Sequence, residues 1–103
     1  MELIGDCFGR SVRLTSELRA HILEHPEMHG EIARVESTPQ DPELVRRSIS
    51  DSAVEMFYRY FADTAVDGKW MCVEVKCSDT DAFVVTAYLT DRPKAGEDVW
   101  PPS

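Results

Sequence analysis

From residue 44 onward, apolar and polar residues alternate with a period of two in four stretches: "LVRRSIS" (44–50), "VEMFYRYF" (54–61), "KWMCVEVKC" (69–77) and "AFVVTAYLT" (82–90). Alternation puts successive side chains on opposite faces of an extended chain, so each stretch reads as a strand with one buried face. Asp67-Gly68 and "SDTD" (78–81) supply turns, and an antiparallel meander is the simplest order. Upstream the period is helical. "SVRLT" (11–15) predicts a short strand whose Thr15 or following Ser16 caps a helix over Glu17–His25, with Leu18, Ile22 and Leu23 inward and Pro26 ending it. A second helix is predicted from Met28 to Ser37, with Ile32 and Val35 inward, until "TPQDP" (38–42) breaks the pattern. The tail "RPKAGEDVWPPS" reads as a loop or short edge strand anchored by Trp100. The expected fold class is α+β: N-terminal helices packed on an antiparallel sheet of about four strands, in a single domain over residues 1–103.

Parity sharpens this picture. Met71, Val73, Val75 and Cys77, with Phe83, Val85, Ala87 and Leu89, make one apolar face, and keeping them together sets Val75 opposite Val85. The other face then carries Glu74, Lys76, Thr86 and Tyr88. On the preceding strand Val54, Met56, Tyr58 and Tyr60 form the more apolar set, which assigns Glu55 and Arg59 to the polar face, although Phe57 and Phe61 share their parity.

With 103 residues, 43% of them hydrophobic and 29% charged, the chain is long enough for one core without disulfide staples. Cys7, Cys72 and Cys77 are an odd set without a framework, as expected of reduced thiols. No basic start followed by an apolar run and no bilayer-length apolar stretch is present, so a cytoplasmic location and no membrane partner are expected. The net charge of −8 argues against nonspecific nucleic-acid binding. Residues 45 to 60 run against that balance, because Arg46, Arg47 and Arg59 outnumber the acids there and leave room for a local anion site.

His21, His25 and His29 are spaced by four, with Glu24 and Glu27 between them. Histidines at i and i+4 share a helical face and suit a metal, but Pro26 interrupts the helix before His29 and no H-E-x-x-H pattern is present. No metal and no cofactor are expected. His25 falls at the predicted helix end, a position that suits a proton-transfer group and equally a capping or surface histidine. Arg59, Lys76, Thr86 and Tyr88 offer cations and hydroxyls able to hold a phosphate, or else form an ordinary solvated sheet face. Nucleophile elbows, P-loops and dinucleotide fingerprints are absent.

Taken together, "VRLTSELRAHILEHPEM", "VRRSISD", "FYRYF", "VEVK", "FVVTAYLTDRPKAG" and the near-terminal "VW" resemble the small bacterial and phage-associated domains of the phage barnase/EndoU/colicin/RelE-like nuclease family. The resemblance runs from about Val12 to Trp100. It implies a barnase/RelE-like fold and metal-independent, toxin-like RNA cleavage, in which a 2′-hydroxyl attacks the adjacent phosphate with general acid/base help. On this resemblance His21 or His25 is the acid or base, Arg59 and Lys76 hold the phosphate, Thr86 and Tyr88 orient it, and Arg46, Arg47, Ser48 and Lys94 contact RNA. Glu74 then places a negative charge beside the phosphate, as a general base or as the mark of lost activity. The rival expectation is a noncatalytic interaction module of a toxin-antitoxin-like or phage-related system, with a protein antitoxin or immunity protein as partner.

Overall fold

The computed structural model describes residues 1–102. Seven strands, β1 (Glu2–Gly5), β2 (Ser11–Leu14), β3 (Leu44–Ser48), β4 (Val54–Thr64), β5 (Asp67–Cys77), β6 (Ala82–Thr90) and β7 (Gly96–Trp100), form one sheet in the order β1-β2-β6-β5-β4-β3-β7. Two short helices, α1 (Ser16–Ile22) and α2 (Ile32–Gln40), flank a 3-10 turn at Pro26–Met28. The expected class, helices packed on about four antiparallel strands, is thereby overturned. This is a mostly-sheet fold, and the sheet is mixed because β2 runs parallel to β6 at Arg13↔Phe83. The meander β3 to β6 lies inside it, extended by the β1–β2 hairpin on one side and by β7 on the other. Among the described residues no helix is long and apolar enough to cross a membrane.

Local chemistry explains the added strands and the short helices. Asp6 Oδ1 accepts from the backbone N–H groups of Phe8 (2.9 Å) and Arg10 (2.8 Å), closing a turn with Gly9 at φ +82°, so "ELIG" doubles back on "SVRL". Thr15 Oγ1 caps α1 by accepting from Leu18 N at 3.2 Å. That helix stops at Ile22, earlier than expected, and Pro26 holds His25 in extended geometry. In α2 Pro39 lies in the last turn, where it has no N–H to give the preceding turn, and Thr38 Oγ1 donates back to Arg34 O at 2.7 Å.

Ile22, Met28 and Val35 from the helical layer meet Ile4, Val12, Leu14, Val45, Phe57, Met71, Val73, Val75, Val84 and Ala87 of the sheet in the main core. A smaller cluster, Val54, Met56, Tyr58 and Cys72 with Leu44, Trp70 and Tyr88 packed around it, occupies the other face, which no helix covers. Two parity expectations fail here. On β4 it is Phe57 that faces the helices, with Glu55 and Arg59 sharing its side, because both faces of the strand are buried and alternation cannot rank them. On β6 a bulge shifts the register between Glu74↔Thr86 and Val75↔Val84, so Val84 and Ala82 turn inward while Phe83 and Val85 turn away from the core.

The link from β6 to β7 is the unusual connection. It leaves beside Trp70 and must reach β3's outer edge at Ser48. On a flat sheet those points lie roughly 25 Å apart, whereas the six links from Thr90 to Gly96 extend to about 21 Å. The sheet is twisted, which shortens that diagonal, and residues 91–95, with bends at Asp91, Arg92 and Ala95, cross the helix-free face as a strap. Lys94 N donates to Tyr58 Oη at 3.1 Å and Arg46 Nη1 to Lys94 O at 2.8 Å, which fastens the strap over a fully buried Tyr58.

The bulge is testable. Val84 is 3% exposed and Val85 40%. Val84→Ala is expected to cost about 2 kcal/mol in urea unfolding and Val85→Ala less than about 0.5 kcal/mol. The reverse ranking would restore the unbroken alternation.

Candidate functional site

Ten side chains were expected at the site, and the sheet divides them. Arg46 sits opposite Met56, Thr86 opposite Glu74 and Tyr88 opposite Cys72, while Lys76 follows Glu74 two residues along β5, so all four share the helix-free face. Ser48 and Lys94 lie on that face too and line a pocket of about 220 Å³ together with Ile49, Ser50, Met56, Glu74 and Ala95, while Arg46, Lys76, Thr86 and Tyr88 stand outside its lining. The remaining four stand apart. His21 and His25 project from the helical layer, exposed and paired with Glu24 (3.3 Å) and Glu27 (3.8 Å), with their rings 6.5 Å apart. Arg59 lies on the helix side and donates to the Asp41 carbonyl at 2.8 Å. Arg47, opposite Glu55, opens onto the end of the sheet and pairs with Glu97. The sheet thus separates the histidines and Arg59 from Lys76, Thr86 and Tyr88.

Glu74 is the centre of the pocket. Its Oε2 accepts from Tyr88 Oη at 2.9 Å and lies 3.6 Å from Lys94 Nζ, and the ammonium sits 5.1 Å from the centre of the Tyr88 ring. The Glu74 side chain is 18% exposed and that of Lys94 60%, so a half-buried carboxylate meets a solvated cation at the rim. Ser48 Oγ and Ser50 Oγ, 3.1 Å apart, supply hydroxyls on the opposite wall. Lys76 is held 3.1 Å from Asp51, and its Cα lies about 7 Å from that of Glu74 along β5. A carboxylate with one oxygen unclaimed, an ammonium, a phenol and two hydroxyls can together exchange protons and hold an anion.

A second polar pocket, of about 240 Å³, opens at the end of the sheet among Arg10, Arg47, Glu55, Cys77, Ser78 and Asp79. Its centre is occupied by its own chemistry. Arg10 bridges Asp6 Oδ2 at 2.7 Å and Glu55 Oε1 at 2.5 Å, and the Cys77 thiol donates to Glu55 Oε1 at 3.3 Å. This network anchors the β1–β2 turn to β4, and nothing in the sequence pairs residues 6, 10 and 55. No grouping of three or more His, Cys, Asp and Glu side chains suited to a metal ion occurs among the described residues.

The thiols are kept protonated. Burial pushes Cys72 up to about 12 and Cys7 and Cys77 up to about 11, and burial also raises the Tyr58 and Tyr88 phenols. A nucleophilic cysteine has no support in such surroundings. Compared with protein-family models, with curated proteins and with solved structures, the chain matches none.

These raised values fix the sign of an alkaline effect. Above pH 9 the unfolded thiols release protons that the folded ones retain, so stability that is complete below pH 9 falls as pH rises towards 11 to 12. The urea midpoint is expected to drop between pH 8.5 and 10.5, and Cys72→Ala is expected to flatten the drop. An unchanged slope in that variant would remove Cys72 from the account.

Proposed function

We propose that the protein is a metal-independent endoribonuclease that works on the helix-free face of its sheet. The observation that carries this reading is the convergence of Tyr88 and Lys94 on Glu74, which lines one pocket with Lys94 and Ser48, with Thr86 and Lys76 on the same face. The family resemblance bears on it through Lys76, Thr86, Tyr88 and Lys94, which fall within motifs that carry the likeness. In this scheme the unclaimed Glu74 oxygen takes the proton of a 2′-hydroxyl. The O2′–P bond forms, the P–O5′ bond breaks, and Lys94 gives a proton to the departing 5′-oxygen, leaving a 2′,3′-cyclic phosphate and a 5′-hydroxyl. Tyr88 fixes Glu74 by donating to its other oxygen, and Lys76 offsets charge on the phosphoryl oxygens. His21, His25 and Arg59 have no part, being across the sheet.

A noncatalytic interaction module is the second reading, and the ion pairs favour it. Among the described residues every Lys and Arg except Arg92 has a carboxylate within 3.6 Å, so few cations are free to meet phosphate.

Cleavage of a mixed-sequence RNA in excess chelator separates the two. Glu74→Gln and Lys94→Ala are each expected to lower the rate by about 100-fold or more, while His21→Ala and Arg59→Ala cleave like the parent. Cleavage lost in His21→Ala but kept in Glu74→Gln would move the site to the helical layer, and no cleavage by the parent would assign the chain to the interaction module.

A further inference from the structure

Beyond the pocket, the helix-free face continues towards the β4–β5 turn, and there it carries an exposed tyrosine beside a tryptophan that borders the smaller core. Tyr60 sits opposite Trp70 and is 45% exposed, and the two rings meet edge to face with centroids 5.7 Å apart. Gly68 makes this arrangement possible, since a side chain there would collide with the Tyr60 ring and hydroxyl. The Tyr60 ring is thus set against backbone on one side and indole on the other, with little freedom to lose on binding. Trp70 in turn packs on buried Tyr58, which fixes the pair to the site's own floor.

The charges nearby are arranged asymmetrically. Thr90 lies opposite Trp70, and Thr90 Oγ1 donates to Arg92 O at 3.2 Å, so the strap begins beside the aromatic pair. Arg92 is the one Lys or Arg among the described residues without a carboxylate partner, and Lys94 follows two residues later at the pocket. On the opposite flank Glu43 accepts from Tyr60 N at 3.3 Å, and Asp67 occupies the turn. An anionic backbone is repelled from that flank and drawn to the strap. An exposed aromatic ring on which a base can stack, bordered by a guanidinium without a carboxylate partner, is the recognition pattern for single-stranded nucleic acid.

We infer that Tyr60 and Trp70 form a stacking platform for a single-stranded RNA segment flanking the scissile phosphate, whose backbone follows Arg92 and Lys94 into the Glu74 pocket. This rests on the nuclease reading and names its substrate: an unpaired strand whose bases lie splayed on the aromatic pair. A duplex keeps its bases stacked inward and presents no base face to Tyr60.

The test uses the full chain carrying Glu74→Gln and a fluorescent eight-nucleotide single-stranded RNA, with binding read by anisotropy in chelator. Adding Tyr60→Leu, which keeps apolar cover over Gly68, or Arg92→Ala is expected to weaken binding about tenfold, with circular dichroism unchanged. His21→Ala is expected to bind like the parent, and a duplex of the same sequence more weakly than the single strand. In the catalytically intact chain Tyr60→Leu is expected to raise KM for the eight-mer and leave a dinucleotide substrate unaffected. Equal binding by parent, Tyr60→Leu and Arg92→Ala, or duplex binding as tight as single-strand binding, overturns the platform. If wild type cleaves while those variants bind normally, the platform alone fails; if wild type neither cleaves nor binds, the nuclease reading fails with it.

Discussion

The strap between β6 and β7 is the constraint on which the rest of the structure turns. Because β7 pairs with β3 at the far edge, a short segment must cross the face that carries no helix. That crossing lays the strap over Tyr58 and gives cover to the buried cluster of Met56, Tyr58 and Cys72 on a side with no helix. The same crossing brings Lys94 over Glu74 and sets Ala95 beside Ser48 and Ser50. Burial, strand closure and the assembly of the pocket therefore share one cause. The strap's fastenings are mostly polar: Lys94 N to Tyr58 Oη, Arg46 to the Lys94 carbonyl, and Lys69 to Asp91.

Where one strand face was plainly richer in apolar residues, the sequence was legible. Met71, Val73 and Val75 of β5 alternate with residues that are polar or smaller, and the structure buries them. Strand β4 defeats the same reasoning because Phe57 enters the main core and Tyr58 the smaller one, so both parities are apolar. The β6 bulge leaves no mark in "FVVTAYL", where either valine can face inward, and only the pairing with β5 decides between them. Strand β1 was hidden, and β7 was legible only as a loop or short edge strand, for another reason. Each is short, at an edge, and held by partners remote in sequence: Asp6 and Arg10 tie the first turn to Glu55, and Arg46 and Arg47 hold Asp98 and Glu97.

Site residues followed the same division. Lys76, Thr86 and Tyr88 were placed together by parity on β5 and β6, and the bulge falls just beyond Thr86, leaving the grouping intact. Arg59 was assigned to them through the misread parity of β4. The histidines entered through the resemblance and their helical spacing, neither of which carries information about which side of the sheet the helices cover. Glu74, first visible as a charge out of place beside a phosphate, is the residue on which Tyr88 and Lys94 both act.

An acidic protein is a poor partner for RNA only if its charge is spread evenly, and here it is not. Seven carboxylates have no Lys or Arg partner among the described residues, and four of them, Glu17, Glu24, Glu27 and Glu36, belong to the helical layer. That layer lies on the far side of the sheet from the pocket, about 10 Å or more away, whereas charges in physiological salt are screened over about 8 Å. On the helix-free face Lys76 and Lys94 are each matched to one carboxylate, which leaves Arg92 as the uncompensated charge. Such a surface supplies little nonspecific attraction for duplex backbone and must draw affinity from stacking and from contacts made at one phosphate. On the proposed nuclease reading, the acidic balance acts against long, paired, indiscriminately bound substrates and favours a short unpaired strand.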